Sequence, residues 1–330
     1  MEDWFTIEEQ PVPWLVHGLL ANDSHSAFIG KPKSGKSSLI RNLAVAVVKG
    51  RDLLGRKVTV PTGGGRVLYI HLDRKDPIGD VAGELRKLGI TQEESDRLSL
   101  MSADDMPNTK DERLRWLQEE TKKFSPDLII IDLLFHFINV SDSNGYNQVL
   151  NSINELQDTL RQCGFKGHTA TAHHQRKASS EHDRFDDVLG STSIRGSFAT
   201  NLLLERDREK GRYTIQSDQT QRDKFFGELP ETVLERNQDT GELSLGREVG
   251  QLEFEHKKKQ ANENAQRVLG YIRDNPGCTQ NAMVEALQIR KEAITRILRD
   301  DLKPLLKCEG RGVANDPIRY TVEIPREAIQ

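Results

Sequence analysis

Short apolar runs alternate with stretches of helical periodicity through the first two thirds of the chain. Ser26, Ala27, Phe28 and Ile29 predict a strand, and Leu39, Ile40, Leu43, Ala44, Val47 and Val48 follow at the spacing of one helix face. Arg66 to Asp73 reads as a buried strand ending on a carboxylate. A helix is expected from about Ile78 to Leu88, a short strand near Leu98 to Met101, and a helix from about Asp111 to Phe124. The run PDLIIID, residues 126–132, predicts a strand buried on both faces that ends on Asp132. A helix from about Tyr146 to Cys163 places Val149, Leu150, Ile153, Leu156 and Leu160 on one face, and a strand from His168 to Ala172 delivers His173 and His174. Strand and helix in this alternation predict a mostly parallel sheet covered by helices on both faces. Such sheets bind ligands at the carboxyl ends of their strands. Leu202 to Glu205 and Tyr213 to Ser217 read as a terminal hairpin.

The pattern changes towards the C-terminus. Residues 175–197 are polar and charged, as a functional or disordered loop would be. Residues 246–264, with His256, Lys257, Lys258 and Lys259, read as a linker. A helix through Ala265, Val268, Leu269 and Ile272 is then expected to stop before Pro276 and Gly277. Thr279 is placed to cap a second helix, and a third is expected from about Lys291 to Leu302. Two β-prone runs, Leu305 to Cys308 and Ile318 to Val322, flank Glu309 to Gly312. Three helices followed by a hairpin is the order of a winged helix-turn-helix. The expected domains are therefore 1–245, a linker at 246–264, and 265–330.

Composition narrows the classes. The 330 residues are 35% hydrophobic and 30% charged, enough for a globular core under a well-solvated surface. No apolar run approaches a membrane span, and MEDWFTIEEQPVP lacks the order of a signal peptide, so a cytoplasmic protein with no membrane partner is expected. Cys163, Cys278 and Cys308 lack metal-ligand spacing. A formal net charge of -4 argues against indiscriminate coating of nucleic acid. A local basic patch is still available: on the third C-terminal helix Thr295, Arg296, Arg299 and Lys303 share a face opposite Ala293, Ile294, Ile297 and Leu298. That face suits a major groove, with Arg311 in the wing reaching a phosphate or the minor groove, although Glu292, Asp300 and Asp301 dilute the charge.

The chemistry sits between the first strand and the first helix. Residues 30–37, GKPKSGKS, form a complete phosphate-binding loop. Gly30 and Gly35 let the backbone amides turn inward, Lys36 reaches the β and γ phosphates, and Ser37 is placed to ligate magnesium. The helix that follows adds its dipole to the anion site. Hydrolysis of ATP further needs a partner for the metal, a group that orients water and a cation for the transition state. Asp132 fits the first role and Asp73 the second, with Asp76 as a competitor, and His174 is either a sensor of the γ phosphate or a structural histidine at a strand end.

PWLVHGLL, AFIGKPKSGKSSL, PTGGGRVLYIHLD, DLIIID, TAHHQRK and SIRGS occur in this order over residues 11–220, and in this the chain resembles the RecA-like ATPases of the plasmid RepA-type hexameric helicase family. The resemblance implies a RecA-like P-loop ATPase core with an appended winged helix. It implies nucleotide binding by Gly30 to Ser38, including Lys33, Ser34, Gly35, Lys36 and Ser37, and magnesium held through Ser37 and Asp132. It also implies water activation at Asp73 and γ-phosphate sensing by His174. Relatives of this kind usually carry glutamate where this chain has Asp73, whose shorter side chain implies slow or partner-dependent hydrolysis. An arginine finger from a neighbouring subunit is expected, with Arg195 and Arg206 as candidates, so a homo-oligomeric ring or filament is part of the expectation. Arg176, Lys177 and Arg184 would then face single-stranded DNA. The sequence thus points to an ATP-dependent DNA motor, a replicative helicase of a plasmid, phage or other mobile element that meets other replication proteins. The alternative is a DNA-binding ATPase switch without unwinding. A small-molecule phosphotransferase has no evident acceptor site.

Overall fold

The computed structural model describes residues 11–139, 146–174, 196–219 and 229–322. The chain divides into two compact units, Met1–Val249 and Gly250–Gln330. The first is built on one nine-stranded sheet. In chain order its strands are β3 (Ser24–Gly30), β4 (Val67–His71), β5 (Leu98–Ser102), β6 (Leu128–Asp132), β7 (His168–His174), β8 (Thr200–Asp207), β9 (Arg212–Gln219), β10 (Thr232–Arg236) and β11 (Leu243–Glu248). A separate small ribbon, β1 (Trp14–Val16) with β2 (Leu20–Ala21), precedes them.

Across the sheet the order is β11-β10-β9-β8-β3-β7-β6-β4-β5. The six strands from β8 to β5 are parallel to their neighbours, and β8 to β11 continue antiparallel. This is the mixed α/β architecture with a mostly parallel sheet that the alternation of elements predicted, and it matches a RecA-like P-loop ATPase core. The expected hairpin is present as β8 and β9, but it is not terminal, because β10 and β11 extend the edge. Those two strands are largely half-buried or exposed, so their sequence lacks the apolar run that marks the central strands.

The parallel strands feed two cores. Along β6, Leu128 and Ile130 pack on one face and Ile129 and Ile131 on the other. The first face is covered by α1 (Lys36–Lys49) and α2 (Ile78–Lys87). The second is covered by α3 (Lys110–Phe124), α4 (Leu134–Ile138) and α5 (Tyr146–Gln162). Thr109 caps α3 by accepting from the Glu112 N–H while Glu112 reaches back to Thr109, which explains the sharp start of that helix.

In the second unit α6 (Val249–Asp274) contributes Val268 and Ile272 to a core completed by α7 (Gln280–Leu287), α8 (Lys291–Arg296) and the strands β12 (Cys278–Thr279), β13 (Leu306–Glu309) and β14 (Arg319–Val322). The strands pair antiparallel in the order β12-β14-β13. Thr279 caps α7 as expected, its side chain accepting from the Ala282 N–H. Two expectations change. The stretch expected as a linker, 246–264, lies in β11 and α6: its Glu, Lys, Gln and Ala residues are good helix formers, and they stay mostly exposed because no apolar stripe calls for burial. The third helix, expected to run to Leu302, passes after Arg296 into a π turn, Ile297–Asp301, before Pro304 removes the donor that further helix would need.

Candidate active site

β3 runs straight into the phosphate-binding loop, and its close neighbours explain why the loop needs glycine. A Cβ on Gly30 would stand 2.3 Å from the Leu204 carbonyl oxygen and 2.5 Å from Ser34 Oγ. Gly35 has a φ of 100°, a conformation that favours glycine, and from there α1 begins with no side chain capping its first amides. Buried Lys36 fills the loop, its Nζ donating to the carbonyls of Gly30 (2.8 Å) and Lys31 (2.9 Å). Burial brings its ammonium down to about 8, against the pull of Asp132 and Asp73. Those carbonyls hold the amine where phosphate oxygens would compete for it.

Asp132 ends β6, one strand removed from β3, with β7 between them. It is 1% exposed, and its Oδ1 has no hydrogen-bond partner. Tyr69 Oη lies 3.4 Å from Oδ2. Burial pushes the carboxyl up, while His71, Arg41 and Lys36 and a hydrogen bond from Ser37 draw it down. An orphaned carboxylate oxygen beside a hydroxyl fits a hard cation, so Ser37 and Asp132 are the residues that would hold magnesium, the remaining ligands coming from phosphate and water. Among the described residues no group of three or more His, Cys, Asp or Glu could hold a metal without such help. Bound there, the ion would neutralise charge on the phosphates.

Asp73 lies two residues beyond β4 and is half-buried, its Oδ1 accepting from the Lys75 N–H at 3.0 Å. Its charge reaches both Lys36 and His174. Asp76, the competitor, is committed elsewhere: its carboxylate is paired with Arg41 of α1. His174 ends β7 in register with Gly30. Its Nδ1 is buried without a partner, and burial, followed by the charge of Lys36, lowers its pKa. His136 sits close by, its Nδ1 at 2.9 Å from the Leu72 carbonyl, the residue before Asp73. Lys36, Asp73, Asp132 and His174 are thus electrostatically coupled around one loop.

Arg206 is exposed on β8, its guanidinium 5.4 Å from the ring centre of Tyr213, its register partner on β9. Arg195, Arg176, Lys177 and Arg184 lie outside the described residues. On α8 and the following turn, Arg296, Arg299 and Lys303 are exposed, but Arg299 is held by Asp300 at 2.7 and 2.9 Å. Arg311 is exposed in the β13–β14 connection, 3.9 Å from Asp316. Beside the phosphate loop an open cleft of about 800 Å³ is lined by Lys33, Ser38, Tyr213, Glu235 and Arg236. Sequence reasoning missed this cleft because its far wall is β10. It also missed Arg41 and Tyr69; a single arginine inside the apolar run of α1 was the available signal.

The sheet and this loop define a P-loop ATPase. A family model described as an AAA domain matches residues 1–180, more than half of the chain, and the chain belongs to that family. The match ends just beyond β7, leaving β8 to β11 and the second unit outside it. No curated protein matches the chain.

Proposed function

We propose that the chain is an ATP-dependent DNA motor, a replicative helicase of a plasmid, phage or other mobile element. The observation that carries the ATPase half is the gathering of Lys36, Ser37, Asp132, Asp73 and His174 at the carboxyl ends of β3, β4, β6 and β7. Lys36 steadies the β and γ phosphates, Asp73 orients the attacking water, and His174 reports the γ phosphate through its unpartnered nitrogen. The base and ribose fit the cleft beyond Ser38, with the Tyr213 ring as a stacking surface.

The DNA half rests on the order of RepA-type motifs and on the second unit. That unit's three helices and small antiparallel sheet suit a winged helix whose Arg296, Lys303 and Arg311 meet duplex phosphates. Single-stranded DNA would pass Arg176 and Lys177 in a ring or filament, with Arg206 or Arg195 completing a neighbour's site. The switch reading draws on two observations: Asp73 is one methylene shorter than glutamate, and Arg299 is already paired with Asp300. Strand separation of a forked duplex with ATP and magnesium, run beside Lys36→Ala, distinguishes them. Unwinding by the wild type alone establishes the motor. Nucleotide binding without unwinding favours nucleotide-controlled assembly.

A further inference from the structure

Arg41 and Ser37 stand four residues apart on α1, on one face of the helix that carries the phosphate loop. Arg41 is 4% exposed, in a helix whose other buried positions are nearly all apolar. A guanidinium is retained in such a place only when it is paired. Arg41 pairs with Asp76 and, at 2.5 Å, with Glu84 of α2. Asp76 closes the turn that begins at Asp73: its N–H donates to the Asp73 carbonyl at 3.0 Å, and its own carbonyl meets His71 Nε2 at 2.7 Å. On the other side, fully buried Tyr69 places its hydroxyl 3.4 Å from Asp132 Oδ2 and within electrostatic reach of Arg41. Tyr69 thus touches the residue that would share the metal with Ser37, and Arg41, in its electrostatic reach, is paired with the turn that carries Asp73.

We infer that Tyr69 and Arg41 are positioning residues for hydrolysis: Tyr69 fixes one oxygen of Asp132 and leaves the other to magnesium, and Arg41, through Asp76, sets where Asp73 stands. The inference rests on the ATPase reading. A mere staple between α1 and α2 would explain the Arg41–Glu84 pair, but not the contact of Tyr69 with Asp132 or the tie from Asp76 to the Asp73 turn.

The test reads binding and turnover separately in the full-length chain. A fluorescent ADP analogue is titrated first in EDTA, then with rising magnesium, and ATP hydrolysis is measured in parallel. Tyr69→Phe is expected to raise the magnesium midpoint for analogue binding about tenfold while leaving binding in EDTA unchanged. Arg41→Gln and Asp76→Asn are each expected to lower kcat about tenfold with little change in KM, and the double variant to fall no further than the worse single variant. An unchanged magnesium midpoint in Tyr69→Phe overturns the inference, as do kcat losses that multiply in the double variant. Should Arg41→Gln fail to fold, Asp76→Asn alone carries the kcat arm, and wild-type turnover in it overturns the claim for the Asp73 turn. A wild-type protein that binds no nucleotide with magnesium overturns the ATPase reading itself, a result separable from all of these.

Discussion

Strand β7 begins and ends on a histidine, and the two ends of the sheet treat them oppositely. At the amino end His168 is fully buried with both ring nitrogens engaged, Nδ1 at 2.7 Å from the Ala21 carbonyl and Nε2 at 2.7 Å from Ser26 Oγ. A carbonyl can only accept, so Nδ1 carries the proton and Nε2 accepts from the Ser26 hydroxyl. At the carboxyl end His174 keeps a buried Nδ1 without a partner, among Lys36, Asp73 and Gly30. Asp132 Oδ1 and Ser34 Oγ at the same end are also unpartnered. A buried polar atom without a partner costs free energy that a closed network does not. Thr169 Oγ1 near the amino end is unpartnered too, so the contrast lies in the histidines: His168 is finished as structure, while His174 is left to be completed by a ligand.

Substitutions at the two ends should therefore separate activity from stability. The largest effect is expected at Lys36: Lys36→Ala should reduce ATP turnover at least about a hundredfold, since its cation is the one the loop directs at the phosphates. Wild-type turnover in that variant would remove the mechanism. His174→Ala should lower kcat roughly ten- to a hundredfold while leaving the urea midpoint close to wild type, because no closed network is broken. His168→Asn should do the reverse, costing about 2 kcal/mol of stability with kcat intact, as urea titration beside an ATPase assay would show.

The amino end, where His168 and His25 lie on neighbouring strands, predicts a pH effect of definite sign. Burial lowers the pKa of His168 from 6.5 to about 3 and, together with Arg161, that of His25 to about 4. Between those values and 6.5 the unfolded chain binds protons that the folded chain refuses. Stability is thus complete above about pH 6.5 and is lost as the pH falls. At pH 5 the loss is about 2 kcal/mol for each histidine, and His168→Asn should remove roughly half of it. A urea midpoint that does not move between pH 7 and pH 5 would contradict this. The smallest effect is expected in the second unit: Arg299→Ala with Lys303→Ala should weaken duplex binding a few-fold and flatten its salt dependence, with Lys303 giving the larger share because Asp300 already neutralises Arg299. Unchanged binding would make this unit a protein-docking module.

Much of this was legible in the chain because it is local. The apolar runs of β3, β4 and β6 and the loop between Gly30 and Ser37 depend on neighbours in sequence, and the structure keeps their bounds within a few residues. What escaped depends on distant partners. Asp73 and Asp76 are interchangeable in a sequence, and only the position of Arg41, distant in sequence on α1, takes Asp76 out of contention. Tyr69 looked like one more apolar position in VLYIH until its hydroxyl was found against Asp132. β10, β11 and the first half of α6 escaped because they are largely exposed, so hydrophobic periodicity has little there to record.

The most direct test of the central claim, that the carboxyl end of the sheet is an ATP-hydrolysing centre with Asp73 at the water, is one pair of assays on Asp73→Asn. Binding of a fluorescent ATP analogue and release of phosphate from ATP would be followed in the same preparation with magnesium. The account predicts binding close to wild type and phosphate release reduced at least about a hundredfold. Phosphate release at the wild-type rate would contradict it.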